Sequence, residues 1–196
     1  MLSDIGQLFL QLLQTILNLY LAAVLLRLLL QLVRADFYNP LSQFLVRITN
    51  PLLKPLRKVV PGLLGIDFAA VVLALLVQII TFALLFSLFG ASIPPIGALL
   101  VWSVIAVVAM VVNIYFVAIL VGIILSWVAP QSYHPAVILI HQLTEPVMAP
   151  FRRLLPPLGG LDLSPILVFL VINVVRVVLR HLAAATSLPT ALVLGL

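Results

Sequence analysis

Few side chains in this sequence could do chemistry: it holds five acidic residues, three histidines and no cysteine. Two of the acids, Asp67 and Asp162, close matching stretches, PLLKPLRKVVPGLLGID from Pro51 and PVMAPFRRLLPPLGGLD from Pro146. A pair of carboxylates could serve as general acid and base. Neither aspartate has a histidine, a cysteine or metal-ligand spacing beside it, and His134, His141 and His181 are scattered. Each aspartate stands where a helix must begin. There a carboxylate accepts free N–H groups and meets the positive helix end, so both read as helix caps. The missing cysteines exclude disulfides, thiolate catalysis and haem attachment through CxxCH. No catalytic, cofactor-binding or metal-ligating residue is assigned.

The other polar candidates are basic side chains and amides. Lys54, Arg57 and Lys58 precede Asp67, and Arg152 and Arg153 precede Asp162. Such cations suit lipid head groups or an acidic partner, and both uses stay open. Asn18, Gln78, Asn113 and Asn173 each fall near the middle of an apolar run. They could bond helix to helix, or form a layer that coordinates a solute or ion. Arg176 lies one turn beyond Asn173. An intramembrane arginine is a functional candidate, unless it snorkels outward with Arg180. Arg27 sits nearer a span end and is expected to snorkel.

The elements that must position these residues are set by composition. Hydrophobic residues make up 65% of the chain and charged residues 8%. About 25% charged is usual for a soluble domain. The chain therefore reads as an integral membrane protein, and its net charge of +5 is a topology signal rather than a nucleic-acid signal. Four spans are expected at 8–33, 68–90, 98–128 and 163–185. Trp102 and Trp127 would mark the two interfaces of the third. With no basic n-region before it, the first span should be retained.

The matching stretches belong to a longer repeat. A shift of 95 residues carries Asn18 and Tyr20 onto Asn113 and Tyr115, Tyr38 and Pro40 onto Tyr133 and Pro135, and Gln78 onto Asn173. The chain thus divides into a first unit, 1–97, with a connector at 34–67, and a second, 98–196, with a connector at 129–162. Each unit crosses twice, so the two share one orientation. Basic residues gather in the connectors. By the positive-inside rule the connectors are cytoplasmic and the termini outside. The expected fold is all-α, with four transmembrane helices in two parallel tandem repeats.

Each connector reads as two short amphipathic helices on the membrane surface. Asn39-Pro40 and Asn50-Pro51 are start signals, with His134 and Glu145 in the capping places of the second copy. Leu52, Leu53, Leu56, Val59 and Val60 would enter the acyl boundary, opposite Lys54, Arg57 and Lys58. Pro61 and Pro156 stop the helix, Gly65 and Gly160 allow a turn, and the aspartate caps the next span.

The repeated P-x3-P-x-R-[KR]-x2-P-x3-G-[IL]-D, with DFYNPLSQFLVRITNP and its echo YHPAVILIHQLTEP, resembles the YggT family over nearly the whole chain. Its motif positions are Pro51, Pro55, Arg57, Pro61, Gly65 and Asp67, with Pro146, Pro150, Arg152, Pro156, Gly160 and Asp162. The resemblance implies a bacterial inner-membrane protein with two tandem YggT repeats. It also implies links to osmotic or ionic stress tolerance, cell division or membrane-complex assembly, and no catalytic roles. Two functions remain in view: a non-enzymatic scaffold or assembly factor, and a small channel or transporter for ion homeostasis under osmotic stress. The expected partners are anionic lipid, a membrane or cytoplasmic protein, or a second copy of the chain.

Overall fold

A computed structural model describes residues 2–62, 65–129, 132–154 and 162–196, with side chains from residue 5 onward. Six α-helices succeed one another: α1 Leu2–Leu32, α2 Pro40–Leu56, α3 Phe68–Leu88, α4 Ile96–Val128, α5 Pro135–Leu154 and α6 Ser164–Ala185. Helices α1, α3, α4 and α6 are long and apolar enough to cross a membrane. A spanning chain must satisfy its backbone internally, which is why continuous helix is the form these apolar runs take. The order long–connector–long occurs twice, as the repeat requires.

Helices α1 and α3 pack through Leu21, Val24, Leu25 and Leu28 against Ala69, Ala70, Leu73 and Ala74. The alanines let the two backbones approach closely. Met110 of α4 joins the same cluster. Phe82, Trp102, Ala106 and Leu179 tie α3 to α4 and α6, and Leu188 and Val193 of the C-terminal tail close over them. Trp102 is therefore a core residue, only 6% exposed, and not an interfacial marker. It packs on Phe82 and Phe86 and donates to the Thr186 carbonyl at 3.0 Å. Trp127, by contrast, is exposed.

Helix ends are closed by left-handed residues. Gly90 (φ 69°) ends α3 with Ala91 donating back to the Phe86 carbonyl at 3.0 Å. Arg34 (φ 54°) does the same for α1, with Ala35 donating to the Leu30 carbonyl at 2.9 Å. Glycine or asparagine is usual at that position, so an arginine there is strained.

Each connector is one helix, not two. Pro51 and Pro55 lie inside α2, and Pro146 and Pro150 inside α5. A proline removes one helical bond and crowds the carbonyl four residues back. Spaced by four, each pair falls on a single face, and all four prolines are exposed. The broken bonds thus lie away from the bundle, and the packed face continues through them. The first start signal holds: the Asn39 side chain accepts from Leu41 N at 3.0 Å, and His134 Nδ1 accepts from Ala136 N at 3.2 Å. The second does not. Asn50 and Glu145 are mid-helix, and their side chains have other partners.

Both connectors lie at the same end of the bundle and touch each other. Asn39 Nδ2 donates to the Pro135 carbonyl at 2.8 Å, and Asp36 N donates to Gln142 Oε1 at 3.0 Å. One asparagine therefore starts α2 and also joins the two copies. Gly65 is left-handed at φ 82° in the turn before α3. Pro61 is exposed beyond the end of α2. Pro156 and Gly160 lie outside the described residues.

Candidate functional site

The connector end gathers nearly all the charge. In the first copy, Arg57 follows directly on α2 and Asp67 precedes α3. Arg57 Nε donates to Asp67 Oδ2 at 3.1 Å, and Nη2 donates to the same oxygen. Asp67 is 5% exposed and Arg57 39%. The second copy repeats the bond, with Arg152 Nε donating to Asp162 Oδ2 at 2.9 Å. There Arg152 Nη1 also reaches Glu145 Oε2 at 2.6 Å. The repeated arginine and aspartate thus form a latch, which closes the link between connector helix and following span.

The latch corrects the capping assignment for Asp67, whose side chain makes no cap bond on α3. Asp162 does both jobs: its Oδ1 accepts from Ser164 N at 2.9 Å and from the Ser164 hydroxyl. The sequence held a signal for the latch. Arginine and aspartate keep the same ten-residue separation in both copies while most residues between them change.

These bonds set the titration of the second latch. Burial alone would raise the Asp162 pKa; hydrogen bonds from Ser164 and Arg152 outweigh it and hold the carboxyl below the ordinary aspartate value. Burial would lower the Arg152 pKa; its bonds to Asp162 and Glu145 outweigh that and raise it. A carboxylate with a depressed folded pKa stabilises above its unfolded value, and loses that contribution as pH falls through the folded one. The stability gap between wild type and Asp162→Asn should therefore be full at neutral pH. It should close on acidification below the ordinary carboxylate range. Thermal unfolding across a pH series measures this.

Arg27 is not a snorkelling residue. It is 9% exposed, and its Nη1 donates to Thr49 Oγ1 at 2.6 Å and to Asn50 Oδ1 at 2.9 Å. It clamps α1 to the middle of α2 beside Pro51. At its repeat position the second copy has Gly122, where Thr144 and Glu145 replace Thr49 and Asn50. Nothing in the sequence linked Arg27 to residues 22 and 23 positions later.

Among the cations singled out by sequence, Arg57 and Arg152 are thus bound to carboxylates. Lys54, Lys58 and Arg153 are exposed and make no ion pair among the described residues. Arg47, Lys54 and Lys58 fall on one exposed face of α2 and its extension, at helical spacing. Leu41, Phe44, Leu52 and Val59 form an exposed apolar stripe beside them. The apolar residues expected to enter lipid divide: Leu53 is fully buried in the bundle core, while Leu52 and Val59 face outward.

The four amides do not form a layer. Asn18 and Gln78 are buried and Asn113 half-buried, but Asn173 is exposed on α6. No hydrogen bond among the described residues joins any two of them. Arg176 turns inward: its Nη2 donates to Asn113 Oδ1 at 3.1 Å, and its guanidinium lies 4.3 Å from the Phe116 ring centroid. This pairing ties α6 to α4. The described residues include no cluster of three or more metal-type ligands.

A bundle whose wiring recurs after 95 residues, on four helices able to span a bilayer, defines a multi-pass membrane protein made by tandem duplication. The chain belongs to the CCB3/YggT family, whose model matches it twice, at residues 6–89 and 101–183. It is 52% identical over 182 residues to an uncharacterized protein of Pseudomonas aeruginosa, covering 92% of each chain. It is 36% identical over 178 residues to the protein YggT of Escherichia coli K12, covering 90% of this chain and 91% of that one. A 62-residue stretch is 47% identical to YlmG homolog protein 2, chloroplastic, of Arabidopsis thaliana, covering 31% of this chain and 24% of that one. No solved structure matches the chain.

Proposed function

We propose that this protein is a non-enzymatic scaffold of the bacterial inner membrane, whose cytoplasmic connectors hold anionic lipid and present it, or themselves, to a membrane partner. The observation that carries the proposal is the outer surface of α2. A basic stripe with no carboxylate partner among the described residues lies against an exposed apolar stripe, on a helix already anchored to the bundle by its third face. Such a helix enters the head-group region with apolar side chains down and cations among phosphates. The anchored face makes this surface a fixed platform. The positive-inside bias supports the cytoplasmic placement.

The channel alternative needs the midplane amides to line a polar path. Asn173 faces away from the bundle and Arg176 fills the space beside Asn113, so the geometry favours the scaffold. Osmotic stress tolerance and cell division would then be consequences of the complex that is organised.

Lipid retention tests the proposal. Each Lys or Arg near an anionic surface contributes about 1 kcal/mol. Reversing three, in a Lys54→Glu, Lys58→Glu, Arg153→Glu variant, should lower phosphatidylglycerol enrichment in the co-purified lipid by tenfold or more, about 1.4 kcal/mol per factor of ten. Unchanged enrichment would sink it.

A further inference from the structure

Between α1 and α2 lies a cleft of about 310 Å³, lined by Arg27, Gln31, Arg34, Ser42 and Arg57, with Phe37 and Leu45 on its apolar side. Three arginines line one small space. The only carboxylate bonded to any of them among the described residues is Asp67, which Arg57 holds. Arg27 is buried, and its two bonded partners, Thr49 and Asn50, are neutral. Its Nε and Nη2 make no hydrogen bond among the described residues. Asp67, bonded to Arg57, is thus shared by a cluster of three arginines, and a buried cation so incompletely neutralised is costly to maintain. Arg34 adds a second cost, because it occupies a left-handed position at φ 54° that favours glycine. Two unfavourable arrangements thus converge on one cleft, and an anion seated there would relieve the first.

The second copy provides an internal comparison. Its corresponding cleft is larger, about 640 Å³. Four of its walls are the repeat counterparts of the first: Gly122, Ser126, His141 and Arg152 stand for Arg27, Gln31, Val46 and Arg57. Gly122 and Ala129 stand at the positions of Arg27 and Arg34, and Arg152 is held by two carboxylates, Glu145 and Asp162. The chain therefore keeps the architecture twice and the arginine cluster once. The second latch closes without those arginines, so closing a latch does not require them.

We infer that the first cleft is a specific site for the phosphate of an anionic phospholipid, held by Arg27 and Arg34 with the apolar wall at Phe37 and Leu45 receiving the start of an acyl chain. Guanidinium groups bind phosphate through paired charge-assisted bonds. Phe37 is 58% exposed, so the apolar wall opens outward. The inference rests on the lipid-holding role of the connectors, but it places the tightest lipid in the α1–α2 cleft and not on the outer face of α2.

Native mass spectrometry of the full chain in detergent, titrated with phosphatidylglycerol or phosphatidylcholine, tests it. One phosphatidylglycerol should bind at least about tenfold more tightly than phosphatidylcholine. Arg34→Gly relieves the left-handed strain, so its melting temperature should equal or exceed wild type while phosphatidylglycerol affinity falls about tenfold or more. Arg27→Gln should lose affinity likewise. Wild-type affinity in Arg34→Gly and Arg27→Gln would overturn the inference, as would equal binding of the two lipids. Complete displacement of the lipid by inorganic phosphate would also overturn it, by assigning a free-anion site. If only the Lys54, Lys58 and Arg153 reversal weakens binding, the cleft is excluded and the outer-face proposal stands. If only the cleft variants weaken it, the outer face is excluded as the lipid-holding surface and the cleft carries the binding.

Discussion

Replacing Asp67 by asparagine should destabilise the protein by about 1–3 kcal/mol, whereas Asp162→Asn should cost under about 1 kcal/mol. The two residues hold the same motif position, so the difference comes from their surroundings. Asp67 is 5% exposed and receives both Nε and Nη2 of Arg57 on one oxygen. Breaking a fully buried pair costs about 3–5 kcal/mol. Arg57 is 39% exposed, so part of its charge is rehydrated, and the expected loss is discounted accordingly. Asp67→Asn also removes the carboxylate that Arg57 holds near Arg27, leaving the two cations to repel. In the second copy Asp162 is 40% and Arg152 42% exposed, and Glu145 remains as an alternative partner. Thermal unfolding in detergent of Arg57→Gln, Asp67→Asn and the double variant gives the coupling energy directly. A coupling near zero in the first copy would show that the latch does not hold α2 to α3, and equal losses in both copies would show that burial does not set the difference between them.

The latch also shows where a sequence stops being informative. Spans, repeat and the places of the connectors were legible, because apolar run length and a gapless 95-residue shift are one-dimensional signals, but each connector is one helix where two were expected. The span limits differ from the observed helices by a few residues at most, except at the start of α1. Local chemistry was legible where the partner is local: Asn39 and His134 cap helices two residues ahead. It failed where a side chain had two plausible local roles and took a distant one. Asn50 before Pro51 looks like a helix start, but Asn50 accepts from Arg27 across the bundle, and the proline is carried inside α2. Proline reads as a breaker because it removes a bond, yet a helix packed along one side can lose bonds on the other. Arg57 and Asp67 each had a good one-residue explanation, lipid contact and capping, and these concealed that the two meet. Asn173 had a repeat partner in Gln78, but repeat position does not fix which way a helix faces. Gln78 is 2% exposed, whereas Asn173 is exposed.

The same limit applies to the connector's apolar face, and there it has a large consequence. Five apolar residues of the first connector look equivalent on a helical wheel. The structure separates them, and Leu53 alone is fully buried, in the cluster with Leu21, Leu25 and Ala70. Leu53→Ala should therefore cost about 2–5 kcal/mol through lost burial and the cavity left behind. Leu52→Ala, one residue away and 51% exposed, should cost under about 0.5 kcal/mol in detergent. The cavity would open between α2 and the α1–α3 pair, where Arg57 and Arg27 also hold the connector. Local release of α2 should then expose Arg57 and Lys58 as extended chain, while the Lys54–Pro55 bond resists trypsin in any state. Limited trypsin digestion of the detergent-solubilised protein reads this directly, because cleavage requires local unfolding. Faster cleavage at these residues in Leu53→Ala than in wild type, with Leu52→Ala unchanged, would mean that core packing keeps the basic stripe in its fixed orientation. The counterpart of Leu53 is Met148, 4% exposed and packed with Ile119, Val168 and Ile172. Met148→Leu should be tolerated, since volume is nearly conserved. Met148→Ala should release Arg152 and Arg153 to trypsin in the same way. A platform whose basic stripe unravels when a buried leucine is shortened would be one whose surface chemistry depends on the bundle beneath it.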